Sequence, residues 1–222
     1  MSKSPSWSFS SIKQFDNCPK QYYHLKVLKE HPMEETEAIL YGNRFHKAAE
    51  EYLRDGTDLP KEFEPYRAAL DKIVEKYPGE IHCELKFALD ENLDPCSFKS
   101  KEAWWRGIAD LLIINGDRAF CVDYKTGSAK YADQDQLELM ALAVFKHFPH
   151  IKEVKAGLFF VVGRSFPKVK YKFEQQDMLW IKWFKSYGQL RTAHETGVFN
   201  PRPSGLCKKH CPVLECVHNG RN

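Results

Sequence analysis

Apolar positions along the chain recur with two different periods, and the change of period marks its elements. From Ser6 to Leu28, Ile12, Phe15, Tyr22, Tyr23 and Leu25 suit a helix that starts at the Ser-Phe-Ser-Ser run and breaks near Pro19. From Thr36 to Leu53, Leu40, Phe45, Ala48, Ala49 and Tyr52 form a helical stripe. A turn at Asp55-Gly56 through Pro60 follows. A third helix runs from Phe63 to Tyr77, with Tyr66, Leu70, Ile73 and Val74 inward and Pro78-Gly79 ending it. The period then drops to two. Ile81 to Leu89 reads as a strand with Glu84 and Lys86 on one face and Cys83, Leu85 and Phe87 on the other. Asp90 to Lys101 is a polar loop. Gly107 to Ile114 and Arg118 to Tyr124 are two strands joined at Asn115-Gly116, a strong hairpin signal.

Asp133 can cap a helix that continues to His147, with Leu137, Met140, Ala141, Val144 and Phe145 inward. Val154 to Val162 reads as a buried strand, and Val169 to Phe173 as a further one. Lys168, Lys170 and Lys172 alternate along this last strand, either as a solvated edge that blocks aggregation or as a phosphate track. Gln176 to Thr196 is a long helix with Leu179, Trp183, Tyr187 and Leu190 inside, ended by Gly197. Asn200 to Asn222 has no periodicity and cannot build a core, so something else must order it.

The hairpin places the chemistry. With Asn115 and Gly116 as a two-residue turn, Asp110 faces Cys121 and Ile108 faces Asp123. Asp110 and Asp123 then share a sheet face as diagonal neighbours, about 7–8 Å apart at the backbone. Lys125 shares that face. Both acids sit within apolar runs, where an unpartnered carboxylate is costly to bury. A divalent cation with a preference for hard oxygen ligands resolves the repulsion. The plainer alternative is a pair of acids on an edge strand that merely pair with lysines. Lys125, as part of the set, can orient or deprotonate an attacking water. Trp104, Trp105 and Arg106 enter the strand before; with Lys99 and Lys101 they either stack on and contact nucleic acid or belong to the core.

Composition narrows the classes. The chain has 222 residues, enough for one large domain, and its net charge of +3 permits a polyanionic partner without requiring one. It carries no apolar run of membrane-spanning length and no signal-peptide pattern at Met1 to Trp7, so a cytoplasmic, reducing location is expected. Seven cysteines in such a setting point to metal binding or burial rather than disulfides.

Gly107-x-x-Asp110 followed by Asp123-Tyr124-Lys125 resembles the motif of PD-(D/E)XK nucleases. The surroundings resemble the RecB-like branch. Gly42-x-x-x-His46 matches its histidine helix, Glu84 is the candidate for its acid on the preceding strand, and Gln136 opens its Gln-x-x-x-Tyr helix, with Met140 where tyrosine is usual. Ser10, Phe15, Cys18 and Pro19 match its first segment. The resemblance implies an α/β (α+β) fold with a restriction-endonuclease-like αβββαβ core, preceded by helices and followed by a cysteine-rich clasp. It implies one domain over 1–222, with the nuclease core at about 36–196 and the clasp formed by about 6–28 and 200–222.

The same resemblance implies that His46, Asp110, Asp123 and the Tyr124 carbonyl hold Mg²⁺ or Mn²⁺. Lys125 would be the catalytic lysine, Glu84 a further acid, and Gln136 a group that helps hold the site or the DNA backbone. Cys18, Cys207, Cys211 and Cys216 resemble the clasp of iron–sulfur RecB-like nucleases and imply a 4Fe–4S cluster. Zn²⁺ is the alternative, with His210 or His218 as substitute ligands. The implied activity is a DNA exonuclease leaving 5′-phosphates, acting on free ends in recombination, repair or phage DNA processing within a bacterial or phage-infected cell. The alternatives are a nuclease that trims CRISPR prespacers and a non-catalytic iron–sulfur subunit that binds DNA ends. Arg106, Trp104, Lys168 and Lys170 are the candidate DNA contacts.

Overall fold

The computed structural model describes residues 5–31, 35–129 and 133–221. The chain divides into two compact units, Glu35–Leu179 and a second formed by Met1–Glu34 with Trp180–Asn222.

Glu35–Leu179 is built on one five-stranded sheet whose strands lie in chain order. Strand β1 (Glu80–Leu89) pairs antiparallel with β2 (Trp105–Asn115), and β2 pairs antiparallel with β3 (Arg118–Lys125). Strand β4 (Glu153–Phe160) is parallel to β3, and β5 (Lys168–Lys172) closes the far edge antiparallel to β4. A parallel pair needs a crossover, and the helix Asp135–His147 supplies it. That helix buries every residue from Leu139 to Phe145, so it is apolar nearly all round. Asp133 accepts from the Asp135 N–H at 3.0 Å, an Asx turn at its entry.

Before the sheet come a helix at Glu37–Asp55, capped by Thr36 and ended by left-handed Gly56, and a helix at Arg67–Lys76. Phe45, Ala48 and Ala49 from the first, and Leu70 and Ile73 from the second, join Leu111, Ile113, Phe120, Val122 and Tyr124 in one core. Strand alternation therefore turns Cys121, Asp123 and Lys125 to the opposite face of β3, the face of the crossover helix.

The hairpin register differs from the expected one. Asn115 pairs with Arg118 and Leu111 with Val122, so the two turn residues are Gly116 and Asp117. Gly116 has φ +58° while Asn115 stays in the strand, its side-chain amide donating to the Pro78 carbonyl at 2.7 Å. A turn with positive φ at its first central residue alone is the II′ type, which favours glycine there. Every pairing slides by two residues, so the faces are unchanged but the partners are not. One step beyond the last formed pair, Asp110 lies directly opposite Asp123.

In the other unit, Ser8 caps the helix Phe9–Asn17 through a reciprocal pair of bonds with Ser11. Cys18 is extended, and Pro19 opens a short turn, Pro19–Tyr22, that widens into a π-helical turn at Tyr23–Leu28. Trp7 stacks on Trp183, with ring centroids 6.0 Å apart, and tilts against Tyr187. The helix Gln176–Thr196 belongs to this unit from Trp180 onward. The tail is ordered by polar contacts. The buried Asn219 amide donates to the Cys211 and Val213 carbonyls, and the Arg202 guanidinium donates to the Asp16 carbonyl. Among the described residues no helix is long and apolar enough to cross a membrane.

Candidate active site

Three strands and two helices of the sheet unit converge on two linked groups of side chains. The first is His46, Glu84 and Asp110, which offer ligand atoms all within 4.8 Å of one another. His46 Nδ1 lies 3.3 Å from Asp110 Oδ1 and 3.8 Å from Glu84 Oε1. The Tyr124 carbonyl lies 3.2 Å from His46 Nε2, the other ring nitrogen from the one that faces Asp110 and Glu84. Asp110 is only 8% exposed, and its second oxygen accepts from the Tyr124 N–H at 2.6 Å. That bond takes up the Tyr124 N–H just beyond the last formed β2–β3 pair, Leu111 with Val122.

Glu84 faces Asp110 across β1 and β2, where the regular pairing skips it. It has φ +50°, a left-handed conformation uncommon for glutamate. Such strain persists where surrounding structure enforces it and clusters at functional sites. The sequence could not set the position of this side chain, because a left-handed residue breaks the alternation from which its face is read.

The second group is Asp123, Lys125 and Gln136. Lys125 Nζ is 2.6 Å from Asp123 Oδ2 and donates to Gln136 Oε1 at 2.9 Å. Gln136 Nε2 donates to Asp123 Oδ1 at 2.5 Å, closing a three-membered ring. Asp123 thus lies outside the tight His46–Glu84–Asp110 group, and its carboxylate is held by the lysine and the glutamine. Burial raises its pKa to about 6, the Asp110 charge pushing the same way and Lys125 opposing.

His46 senses the field of these acids. Burial alone would lower its pKa, but hydrogen bonds to Asp110 and Glu84 and the charges of Asp110 and Asp123 raise it to about 10. A position where acids hold a proton this firmly is one that a divalent cation fits, with hard carboxylate oxygens and an imidazole as donors. Ligation requires the neutral ring. Mn²⁺ binding at pH 7–9 is therefore expected to release about one proton and to tighten about tenfold per pH unit. Calorimetry in two buffers of different ionisation enthalpy reads the proton count, and a value of zero would refute this picture of His46.

Two glycines of the motifs have steric reasons. A Cβ on Gly42 would sit 3.2 Å from Thr126 Oγ1, so the close neighbour of this helix is the side chain following Lys125. A Cβ on Gly107 would sit 2.5 Å from the Trp105 ring and 3.3 Å from the Met140 sulfur. Met140, at the position where tyrosine is usual in the RecB-like motif, is buried packing.

The family model for the PD-(D/E)XK nuclease superfamily matches residues 6–216. The chain belongs to that superfamily. Solved structures similar to this nuclease include a protein from Eubacterium rectale named as a candidate exonuclease. It has a TM-score of 0.54 and 13% identity, over 92% of this chain and 86% of that one. Another is the crystal structure of SSO0001, with a TM-score of 0.46 and 13% identity, over 99% and 89% of the two chains. No curated protein sequence matches.

Of the four expected DNA contacts, Trp104 needs correction. Trp104 is 4% exposed and offers no face for a base. The Arg106 guanidinium donates to the carbonyls of Phe98, Ser100 and Ala103 at 2.7, 2.8 and 3.3 Å, so it orders the preceding loop. Lys168 lies over the Phe166 ring, and Lys170 pairs with Glu153 at 3.1 Å across to β4. Both are exposed on the edge strand β5. The four thiols of Cys18, Cys207, Cys211 and Cys216 line one cavity of the other unit.

Proposed function

We propose that this nuclease is a RecB-like DNA exonuclease that hydrolyses phosphodiester bonds at free ends and leaves 5′-phosphates. The observation that carries the reading is the pairing of a cation-binding group, His46, Glu84 and Asp110, with a lysine held beside an acid, Lys125 and Asp123. His46, Glu84 and Asp110 would hold Mg²⁺ or Mn²⁺, which would supply Lewis-acid stabilisation of the phosphate and a more acidic water. The chain's own groups do the positioning. Asp110 and Glu84 carry the negative charge that retains a cation. Asp123 and Gln136 hold Lys125, whose ammonium orients the attacking water and stabilises charge growing on the phosphate oxygens. The name of the Eubacterium rectale protein agrees with action on ends.

End-labelled linear DNA and covalently closed circles, each single- and double-stranded, test this with Mg²⁺ or Mn²⁺. Degradation of the linear substrates with intact circles is expected. Nicked or linearised circles would make it an endonuclease. Bound but uncut ends would make it an end-binding subunit.

We further propose that Cys18, Cys207, Cys211 and Cys216 hold a 4Fe–4S cluster. Support comes from N–H donors at the thiols: Arg202 N to Cys18 and Ser204 N to Cys207, both at 3.4 Å, and the Gln21 amide to Cys211 at 3.7 Å. Such bonds tune cluster sulfurs. Among the described residues no three of these sulfurs fall within 4.8 Å of one another. A tetrahedral zinc–thiolate site needs sulfur–sulfur edges of about 3.8 Å. Anaerobic purification should yield a brown protein with about four irons per chain. A colourless protein with zinc at the thiolates would overturn this assignment.

A further inference from the structure

The unit formed by the N-terminal segment and the tail holds a second group of metal-ligating side chains, separate from the cysteines. His24 lies in the π-helical turn, Glu30 and His31 follow that turn, and Glu215 comes from the tail just before Cys216. His24 Nδ1 is 2.8 Å from Glu30 Oε2 and 3.1 Å from Glu215 Oε1. His31 Nε2 is 3.3 Å from the same Glu215 oxygen. One ligand atom from each of the four residues lies within 4.8 Å of the other three. From this convergence we infer that His24, Glu30, His31 and Glu215 form a Zn²⁺ site joining the π-helical segment to the C-terminal tail.

The spacing agrees with the chemistry. A tetrahedron with zinc–ligand bonds of about 2.0–2.1 Å has edges of about 3.3 Å. Two of these three separations, 3.1 and 3.3 Å, lie near that edge, and the third, 2.8 Å, is shorter. Two imidazoles with two carboxylates are a borderline donor set, suited to zinc rather than to Mg²⁺ or Ca²⁺. Hydrogen bonding alone serves the group poorly. A single ring nitrogen of His24 faces two carboxylates, yet it carries only one proton or one lone pair. Glu215 Oε1 likewise faces both rings. A cation at the common centre engages all four donors at once.

The backbone is shaped to bring the ligands together. The Glu30 N–H donates to the His24 carbonyl at 3.1 Å, closing the wide turn. Lys29, with φ +57°, turns the chain so that Glu30 comes back beside His24. A π-helical turn and a left-handed lysine are both unfavourable conformations, and π-bulges are frequent at functional sites. The His24 and His31 side chains are 13% and 26% exposed, whereas those of Glu30 and Glu215 are about half exposed. Ions can therefore enter from the carboxylate side.

The test separates this site from the thiols. Chelator-stripped protein is titrated with Zn²⁺ against a chromophoric competitor, as the parent chain and as a Cys207→Ser/Cys216→Ser variant, every chain, that used for Co²⁺ included, carrying His46→Ala and Asp110→Asn so that the His46–Glu84–Asp110 group cannot take the ion. One zinc per chain is expected to persist in the serine variant. Its affinity should fall about 100-fold or more in His24→Ala/His31→Ala and clearly, though less, in the near-isosteric Glu215→Gln. Co²⁺ provides a second readout in the intact chain, where nitrogen and oxygen ligation gives tetrahedral visible bands without the thiolate charge-transfer band. Those bands should vanish in the histidine variant while its far-UV circular dichroism is retained. Unchanged zinc stoichiometry and affinity in that variant, or no zinc bound by the serine variant and no such bands in the parent, would overturn the inference.

Discussion

Lys125→Ala will slow cleavage of linear DNA by about 10²–10³-fold or more, the cost of losing one preorganised group that stabilises charge in the transition state. The geometry makes the loss specific. Lys125 Nζ is held by Asp123 at 2.6 Å and by Gln136 at 2.9 Å, and neither His46 nor Glu84 depends on it. Mn²⁺ binding at the His46–Glu84–Asp110 group should therefore survive, and calorimetry on the same preparation checks this. The fold should survive as well. Asp123 keeps its bond from Gln136, and its pKa, already raised to about 6 by burial, can rise further so that it takes up a proton instead of remaining a bare buried charge. Lys125→Met, which keeps the apolar stem, guards against a packing artefact. A folded Lys125→Ala protein that degrades DNA at the parental rate would remove the lysine from the mechanism.

Asp110→Asn is expected to abolish measurable cleavage by a different route. An asparagine oxygen can still accept from the Tyr124 N–H, which Asp110 does at 2.6 Å, so that contact is preserved. The negative charge facing His46 is lost. Mn²⁺ affinity should then drop by about tenfold or more, because hard cations depend on anionic oxygen. His46, deprived of its strongest raising partner, should titrate lower and release less than a full proton on binding. Asp110→Ala supplies the contrast. It strands a buried N–H, so it should additionally cost about 1–3 kcal/mol of folding stability. Equal denaturation midpoints for the two variants would contradict this double role of Asp110, as would parental metal affinity in Asp110→Asn.

Much of this site could be read from residue order. Asp110, Asp123 and Lys125 share a face in any register displaced by an even number of residues, because side chains alternate with period two. The slide of the hairpin from Asn115-Gly116 to Gly116-Asp117 therefore left their common face intact and brought the two acids directly opposite. Local turn preference misplaced the turn because a distant carbonyl, that of Pro78, holds Asn115 in the strand. Trp104 and Arg106 misled for a related reason. An aromatic and a cation beside a strand suit either a nucleic-acid surface or a core with an ordered loop. Only burial and the carbonyls of Phe98, Ser100 and Ala103 distinguish the two. The His24–Glu215 group has no regular spacing to betray it, since its members meet through a π-helical turn and an irregular tail.

By itself the sequence determined the elements, the family and the face on which Asp110, Asp123 and Lys125 lie, because these follow from short-range periodicity and from residue types kept in order. Tertiary structure decided which acids stand together. His46 from a helix, left-handed Glu84 from β1 and Asp110 from β2 meet at one point, while Asp123 is turned to Lys125 and Gln136. The physical reason is that a cation site is set by distances between side chains far apart in the chain, and those distances depend on strand register, a positive φ and the seating of a helix on the sheet.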